Sequence, residues 1–194
     1  SLYRTFYIWN ELERAMDEPN LVVLGHNLQQ LRQAKGISLS QLALDAGIAK
    51  SNLSRLENGS GNPTLDTIWR LAVQLDVSFG SLVDSINTPI EDDGVLVQLI
   101  ERGTDDPQVD AYWMSCAPHT NKLSKAHSLG TSETISVISG QIETGDEENT
   151  KLLNAGDIHR FPADKPHLYR TTTAGATLLV TINYANKEQA HERK

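Results

Sequence analysis

The hydrophobic period of this chain changes once, near Asn87, and the change excludes any single fold built from one kind of element. Before it, apolar residues recur at helical spacing. Leu24, Leu28 and Leu31 mark one face of a first helix, and Lys35-Gly36 is a stop signal. Ser38 and Gln41 have the spacing of a capping box, with Ser38 bonding forward and Gln41 reaching back. They open a second helix over residues 39–46 that ends at Gly47. A third helix is expected over 50–58, burying Leu53 and Leu56 and stopping at Gly59. Residues 60–63 form a loop. Thr64 caps a fourth helix with Leu65, Ile68, Ala72 and Leu75 inward. Ser78 opens a short fifth, through Leu82.

After Asn87 the pattern shortens. Residues 88–94 hold a proline, a glycine and three acids, the composition of a linker. Beyond them, residues 95–100, 111–116, 135–138, 151–153, 158–161, 167–171 and 177–184 read as short strands, punctuated by Gly140, Gly145, Gly156 and Gly175. Many short strands separated by turns form a sandwich or a closed barrel. The expected division is an extension over 1–20, a helical domain over 21–86, a linker and first strand over 87–107, a β domain over 108–185 and a tail over 186–194. Residues 1–15 precede Met16, a candidate natural start. They are assigned no function, although 7–15 have helical composition.

Charge divides along the same line. The chain carries a net charge of −8, which taken whole argues against nucleic acid. Residues 21–86, however, balance Arg32, Lys35, Lys50, Arg55 and Arg70 against Asp45, Glu57, Asp66, Asp76 and Asp84. The acidity lies elsewhere, mostly after residue 87. A neutral domain still lacks a strong basic footprint, so DNA binding by it would need two copies. Apolar runs fall short of the roughly 20 residues that a spanning helix needs. With one cysteine, Cys116, an internal disulfide is excluded and a reducing compartment fits. The start lacks the features of a signal peptide, and a cytoplasmic location is expected.

Two short helices joined at a glycine and braced by three others make a helix-turn-helix arrangement. Ala43 is small where the second and third helices cross, Gly47 permits the tight turn, and Ile48 is placed to plug the core. Leu31-Arg32-Gln33-Ala34-Lys35-Gly36, Leu42-Ala43, Gly47-Ile48, Leu53-Ser54-Arg55-Leu56-Glu57-Asn58-Gly59 and Asn62-Pro63-Thr64-Leu65 closely resemble the XRE family, which includes lambda-type repressors and Cro. The resemblance implies a five-helix lambda-repressor-like domain over about 22–84. It places Lys50, Ser51 and Arg55 at base-reading positions, Asn52, Asn58 and Gly59 near phosphates, and Arg32 opposite Glu57 as an internal salt bridge. Ser51 and Arg55, at i and i+4, share a face. Lys50 starts the helix that would enter the major groove, and Arg55 has the fork that grips guanine. The plainer reading is that Lys50 and Arg55 only solvate a surface helix. Leu39 and Ala49 depart from the family, where glutamine and a hydroxyl cap are usual.

Gly156, Pro162 and His167 stand at the spacing of the second cupin motif, which this chain resembles with departures at Asp164 and Thr171. Residues 127–140, with Glu133 seven before Gly140, resemble the first motif. The resemblance implies a cupin jelly-roll barrel over about 108–184. The chain as a whole then reads as an α+β protein of two domains, all-α followed by all-β. A cupin metal site uses two histidines in an H-x-H pair, a glutamate and a later histidine. Alignment on Glu133 puts Ala126 and Ser128 at the pair positions, with His127 between them. Either His127 points to solvent and the barrel holds no metal, or a small shift turns it inward and His127, Glu133 and His167 can hold zinc or a similar divalent ion. His119 and His159 are expected at the surface, and Trp113 and Met114 in the core.

Without metal, the barrel mouth can still take a ligand. Arg160, His167 and Tyr169 are the effector-binding candidates; Arg160 either offers its guanidinium to a ligand carboxylate or faces solvent. By resemblance, such fusions are bacterial regulators that sense small metabolites, amino acids or sulfur compounds among them. The first function is therefore a DNA-binding regulator, not an enzyme, with double-stranded operator DNA, a small effector and a second copy of itself as partners. Two alternatives stand beside it: a metal-dependent cupin enzyme with a DNA-binding tether, and a barrel that only dimerises.

Overall fold

The computed structural model describes residues 18–84, 86 and 89–185. The helical expectation for 7–15 and the tail over 186–194 lie outside them. The chain forms two compact units that divide between Pro89 and Ile90.

Among the described residues, the first unit holds five helices: α1 (Glu18–Ala34), α2 (Leu39–Asp45), α3 (Lys50–Glu57), α4 (Leu65–Leu75) and α5 (Phe79–Val83). α1 begins before residue 21, inside the span read as extension. The apolar stripes converge as their spacing requires: Leu24, Leu28, Leu42, Ala43, Leu53, Leu56, Ile68 and Leu71 are all buried. Ser38, Thr64 and Ser78 each accept a backbone N–H of the first turn of α2, α4 and α5. Ala49 caps α3 without a side-chain bond. Gly47 takes the left-handed conformation, φ 61°, that turns the chain from α2 into α3. Two local expectations are corrected. Gln41 does not reach back to complete a capping box; its Nε2 donates to Asp45 Oδ1 at 2.7 Å, because a charged acceptor one turn ahead makes the stronger bond. Ile48 is only half-buried, so it borders the core rather than plugging it.

The second unit is all antiparallel β: β1 (Ile90–Asp92), β2 (Val95–Glu101), β3 (Val109–Cys116), β4 (Asn121–Ser124), β5 (Ser132–Asp146), β6 (Lys151–Asn154), β7 (Ile158–Pro162), β8 (His167–Arg170) and β9 (Ala176–Asn183). One sheet runs β1-β2-β3-β9-β5-β7 and the other β4-β8-β5-β6. They share β5, whose first half pairs with β7 and β9 and whose second half pairs with β6 and β8. Gly140 sits at the crossing with φ 80°. A Cβ there would stand 2.1 Å from the carbonyl oxygen of Gly175, so only glycine lets the strand pass. Gly140 and Gly145 thus lie within one long strand, not in turns.

The span read as a linker is partly sheet. β1 pairs with β2 across Asp93 and Gly94, whose φ values of 52° and 76° suit the tight hairpin that Asp-Gly favours. Asp92 then meets Lys122 Nζ on β4 at 2.8 Å, tying the edge strand of one sheet to that of the other. Along β3 and β9 the side chains alternate in and out. Tyr112, Met114, Cys116, Leu178, Val180 and Ile182 fill the interior together with Ile135 and Val137 of β5. Trp113 is the exception to its expected core place: alternation turns it to the outer face, 39% exposed.

Candidate functional site

Among the described residues, two places carry chemistry, one in each unit. In the first, burial of Leu53 and Leu56 fixes which face of α3 is free. Lys50, Ser51, Asn52, Arg55 and Asn58 are all exposed there. Arg55 is steadied by its neighbouring loop: its Nη2 lies 3.4 Å from the Ser60 carbonyl, and the Ser60 hydroxyl donates to the Arg55 carbonyl at 3.1 Å. Beside it a groove of about 390 Å³ opens between α3 and the start of α4, lined by Asn52, Arg55, Asn62, Thr64, Thr67 and Arg70. Arg70 was not a candidate from the sequence. Its Nη1 donates to the carbonyls of Ala46 (3.2 Å) and Gly47 (2.9 Å), and its Nη2 pairs with Asp66 at 3.0 Å. It therefore fastens the end of α2 to α4 and sets the angle at which α3 stands. Behind α3, Glu57 is held by Arg32, whose guanidinium is pushed further up in pKa by that bond.

In the second unit the interior of the barrel holds His127, Glu133, His167 and Tyr169, all buried. Glu133 projects inward from β5, and His167 and Tyr169 from one face of β8. His127 is not on a strand. It sits between β4 and β5, with its backbone N–H bonded to the Ala163 carbonyl at 2.8 Å, and that anchor turns its ring in. The outward-facing alternative is therefore corrected. His127 Nε2 is 2.7 Å from Glu133 Oε1, His167 Nε2 is 3.4 Å from the same oxygen, and the Tyr169 hydroxyl donates to Glu133 Oε2.

The electrostatics follow from that crowding. Burial alone would raise the Glu133 carboxyl, but positive charge on His167 and the hydrogen bond from His127 hold it well below the ordinary carboxylate range. Burial lowers His127 despite its bond to Glu133. Burial also works against charge on His167, yet the Glu133 carboxylate outweighs it and the net shift is upward. Burial and the same carboxylate raise Tyr169 far above its usual value, so it remains a neutral donor.

The donor atoms of His127, Glu133 and His167 lie within 4.8 Å of one another. Their fit to a divalent cation rests on one further detail. His167 Nδ1 is 2.9 Å from the Lys165 carbonyl, which can only accept, so Nδ1 carries the proton. Nε2 faces Glu133 Oε1 at 3.4 Å without an aligned hydrogen bond. As an imidazolium the ring presents a second N–H to the carboxylate, and as a neutral ring its lone pair needs a cation between the two. Two imidazoles and a carboxylate are a donor set for zinc or a related ion.

Arg160 is not part of this cluster. On β7, Phe161 is buried, so its neighbour Arg160 must point out. It is exposed and hydrogen-bonded to Ser132 Oγ at 2.9 Å, and its assignment to an effector is corrected. His119 is exposed, while His159 is half-buried against Phe161, with ring centroids 5.6 Å apart.

The helix-turn-helix family model (HTH_3) matches residues 28–82. Over 156 residues the chain is 32% identical to the HTH-type transcriptional regulator SutR of Escherichia coli K12, covering 76% of this chain and 86% of that protein. Over 63 residues it is 43% identical to the HTH-type transcriptional regulator SinR of Bacillus subtilis, covering 32% of this chain and 57% of that one. A solved HTH_3 family transcriptional regulator from Vibrio cholerae superposes with a TM-score of 0.79 at 25% identity, over 88% of this chain and 100% of that structure. Among the described residues, no helix is long and apolar enough to cross a membrane.

Proposed function

Because this chain belongs to the XRE family of helix-turn-helix transcriptional regulators with a cupin domain, we propose that it binds operator DNA as a homodimer in the cytoplasm and adjusts that binding to a small effector held in its barrel. In this reading α3 enters the major groove. Arg55 and Lys50 read base edges, Ser51 adds a short polar contact, and Asn52 and Asn58 bond phosphates. The groove beside Arg55 gives the sugar-phosphate strand a place to lie.

The observation that carries the sensor is the buried cluster of His127, Glu133, His167 and Tyr169, in which His167 Nε2 faces a carboxylate oxygen 3.4 Å away. A barrel kept only for assembly would gain by filling this space with apolar side chains, since buried charge is costly unless it is used. His127, Glu133 and His167 would hold a divalent ion such as zinc, which would supply a Lewis-acidic anchor for an anionic ligand. Tyr169 keeps Glu133 in place through its hydroxyl. Amino acids and sulfur metabolites are the candidate effectors, and both can present a carboxylate or a thiolate to such an anchor.

A metal-dependent cupin enzyme is the second reading, favoured by the same two-histidine, one-carboxylate set. The test is operator selection from random DNA with the full chain, followed by affinity with zinc present and after chelation. A regulator should show a change of about tenfold. Equal affinity in both conditions would remove the metal from the switch, and failure to select any sequence would overturn the DNA reading.

A further inference from the structure

Two side chains that neither site absorbs, Trp113 and Arg160, lie on the same surface: the outer face of the larger sheet. The strand registers place Gln98, Trp113, Leu179, Ser136 and Ile158 in one row across β2, β3, β9, β5 and β7. The next row runs Glu101, Ala111, Thr181, Thr134 and Arg160. The first row is uncharged, and Ile158 is 69% exposed at its end. The second is charged only at its ends, acidic on β2 and basic on β7. Between these ends the face carries small hydroxyls, an alanine and exposed apolar side chains. A face with so few charges is unusual on a chain of net charge −8.

The two rows have a symmetry that points to the occupant. β9 is the middle strand of the five. A two-fold rotation about an axis along β9, in the plane between two facing sheets, exchanges β2 with β7 and β3 with β5. It lays Glu101 of one copy against Arg160 of the other, twice, sets Leu179 against itself and Trp113 against Ser136, and puts Ile158 against Gln98 at the rim. Face-to-face sheets keep their strands within about 30° of each other, an offset that the long Arg160 and Glu101 side chains can span. Isologous contacts of this kind are the commonest way to close a dimer. We propose that this face joins two copies of the chain, through an apolar centre at Leu179 and Trp113, with Ile158 at its rim and two reciprocal Arg160–Glu101 pairs. The proposal rests on the two-copy reading above and names its surface.

The test is sedimentation velocity of the full chain at micromolar concentration and about 0.1 M salt, where exposed charges still act over about 10 Å. The parent should be a dimer. Arg160→Glu and Glu101→Arg should each weaken it by about tenfold through like-charge contact, and the double variant should recover the parent's dimerisation. Both positions are exposed, so each variant should remain folded, with melting lowered only as far as the weaker dimer requires. A dimeric parent whose single variants are unchanged, or whose double variant is no better than either single, would overturn this face while leaving the two-copy reading intact. A monomeric parent would overturn both.

Discussion

Arg32 and Glu57 join α1 to the end of α3 through a two-pronged contact, Nε to Oε1 at 2.6 Å and Nη2 to Oε2 at 2.8 Å. The third guanidinium nitrogen, Nη1, donates to the Ile37 carbonyl at 3.0 Å, so the turn between α1 and α2 hangs from the same residue. Both side chains are largely out of water, at 11% and 4% exposure. Removing one partner of such a pair strands the other, which costs about 3 kcal/mol. Glu57→Ala should therefore unfold the helical unit at a lower temperature, while the barrel transition stays in place. Calorimetry of the full chain reads both. An unchanged first transition would mean that water replaces the carboxylate without loss.

Arg55→Ala tests the DNA-facing assignment of α3. The side chain is exposed and its hydrogen bond to the Ser60 carbonyl, at 3.4 Å, is long, so the substitution should leave stability almost unchanged. Operator affinity should fall by about 1–3 kcal/mol, with preference relaxed at one base pair. A gel-shift series over operator variants checks this. Uniform weakening at every position would reassign Arg55 to phosphate.

Cys116 should be inert in the native chain. It is buried at the end of β3, and burial pushes its thiol up to about 12. A thiol reacts as thiolate, so at pH 8 a disulfide reagent should label it only as fast as the barrel opens. Adding denaturant should make labelling immediate. Rapid labelling of the folded protein would mean that the wall formed by β3 and β9 opens readily.

The helical unit was legible because its signals are local. Capping hydroxyls at Ser38, Thr64 and Ser78, glycine stops and a 3.6-residue stripe each act within a few residues of where they are read. The barrel was less legible, and each miss has a physical source. β1 lies in a stretch with linker composition, yet Asp93-Gly94 is a hairpin signal in its own right. β4, Asn121–Ser124, has one large apolar side chain, Leu123, and that one faces out at 54% exposure; its pairing with β8 supplies what its composition does not. Arg160 has two readings by composition, ligand or solvent, and alternation decides between them: with Phe161 in the core, its neighbour points to the opposite face. His127 shows the reverse. Strand alternation would have turned it outward, but it stands on an irregular segment whose backbone bond to Ala163 sets the ring direction, and period-two reasoning does not apply there.

His167 joins the barrel cluster to the proposed response. A regulator must couple effector occupancy to DNA affinity, which requires the effector to favour one conformation over another, typically by 1–3 kcal/mol. His167 is fully buried, its Nδ1 is committed to the Lys165 carbonyl, and its Nε2 is turned toward Glu133. It therefore contributes a donor to the cluster while α3, in the other unit, keeps its own residues. His167→Ala should abolish the zinc-dependent change in operator affinity, lower bound metal as read by elemental analysis, and leave metal-free operator binding within about threefold of the parent. Because the alanine leaves a cavity that costs stability, His167→Gln serves as a better-filled companion, and both are compared with the parent by melting. Two outcomes would count against the assignment. A folded variant that responds to zinc as fully as the parent would place the sensor elsewhere. A folded variant that loses metal-free binding would make the barrel a support for the DNA-binding unit rather than its switch.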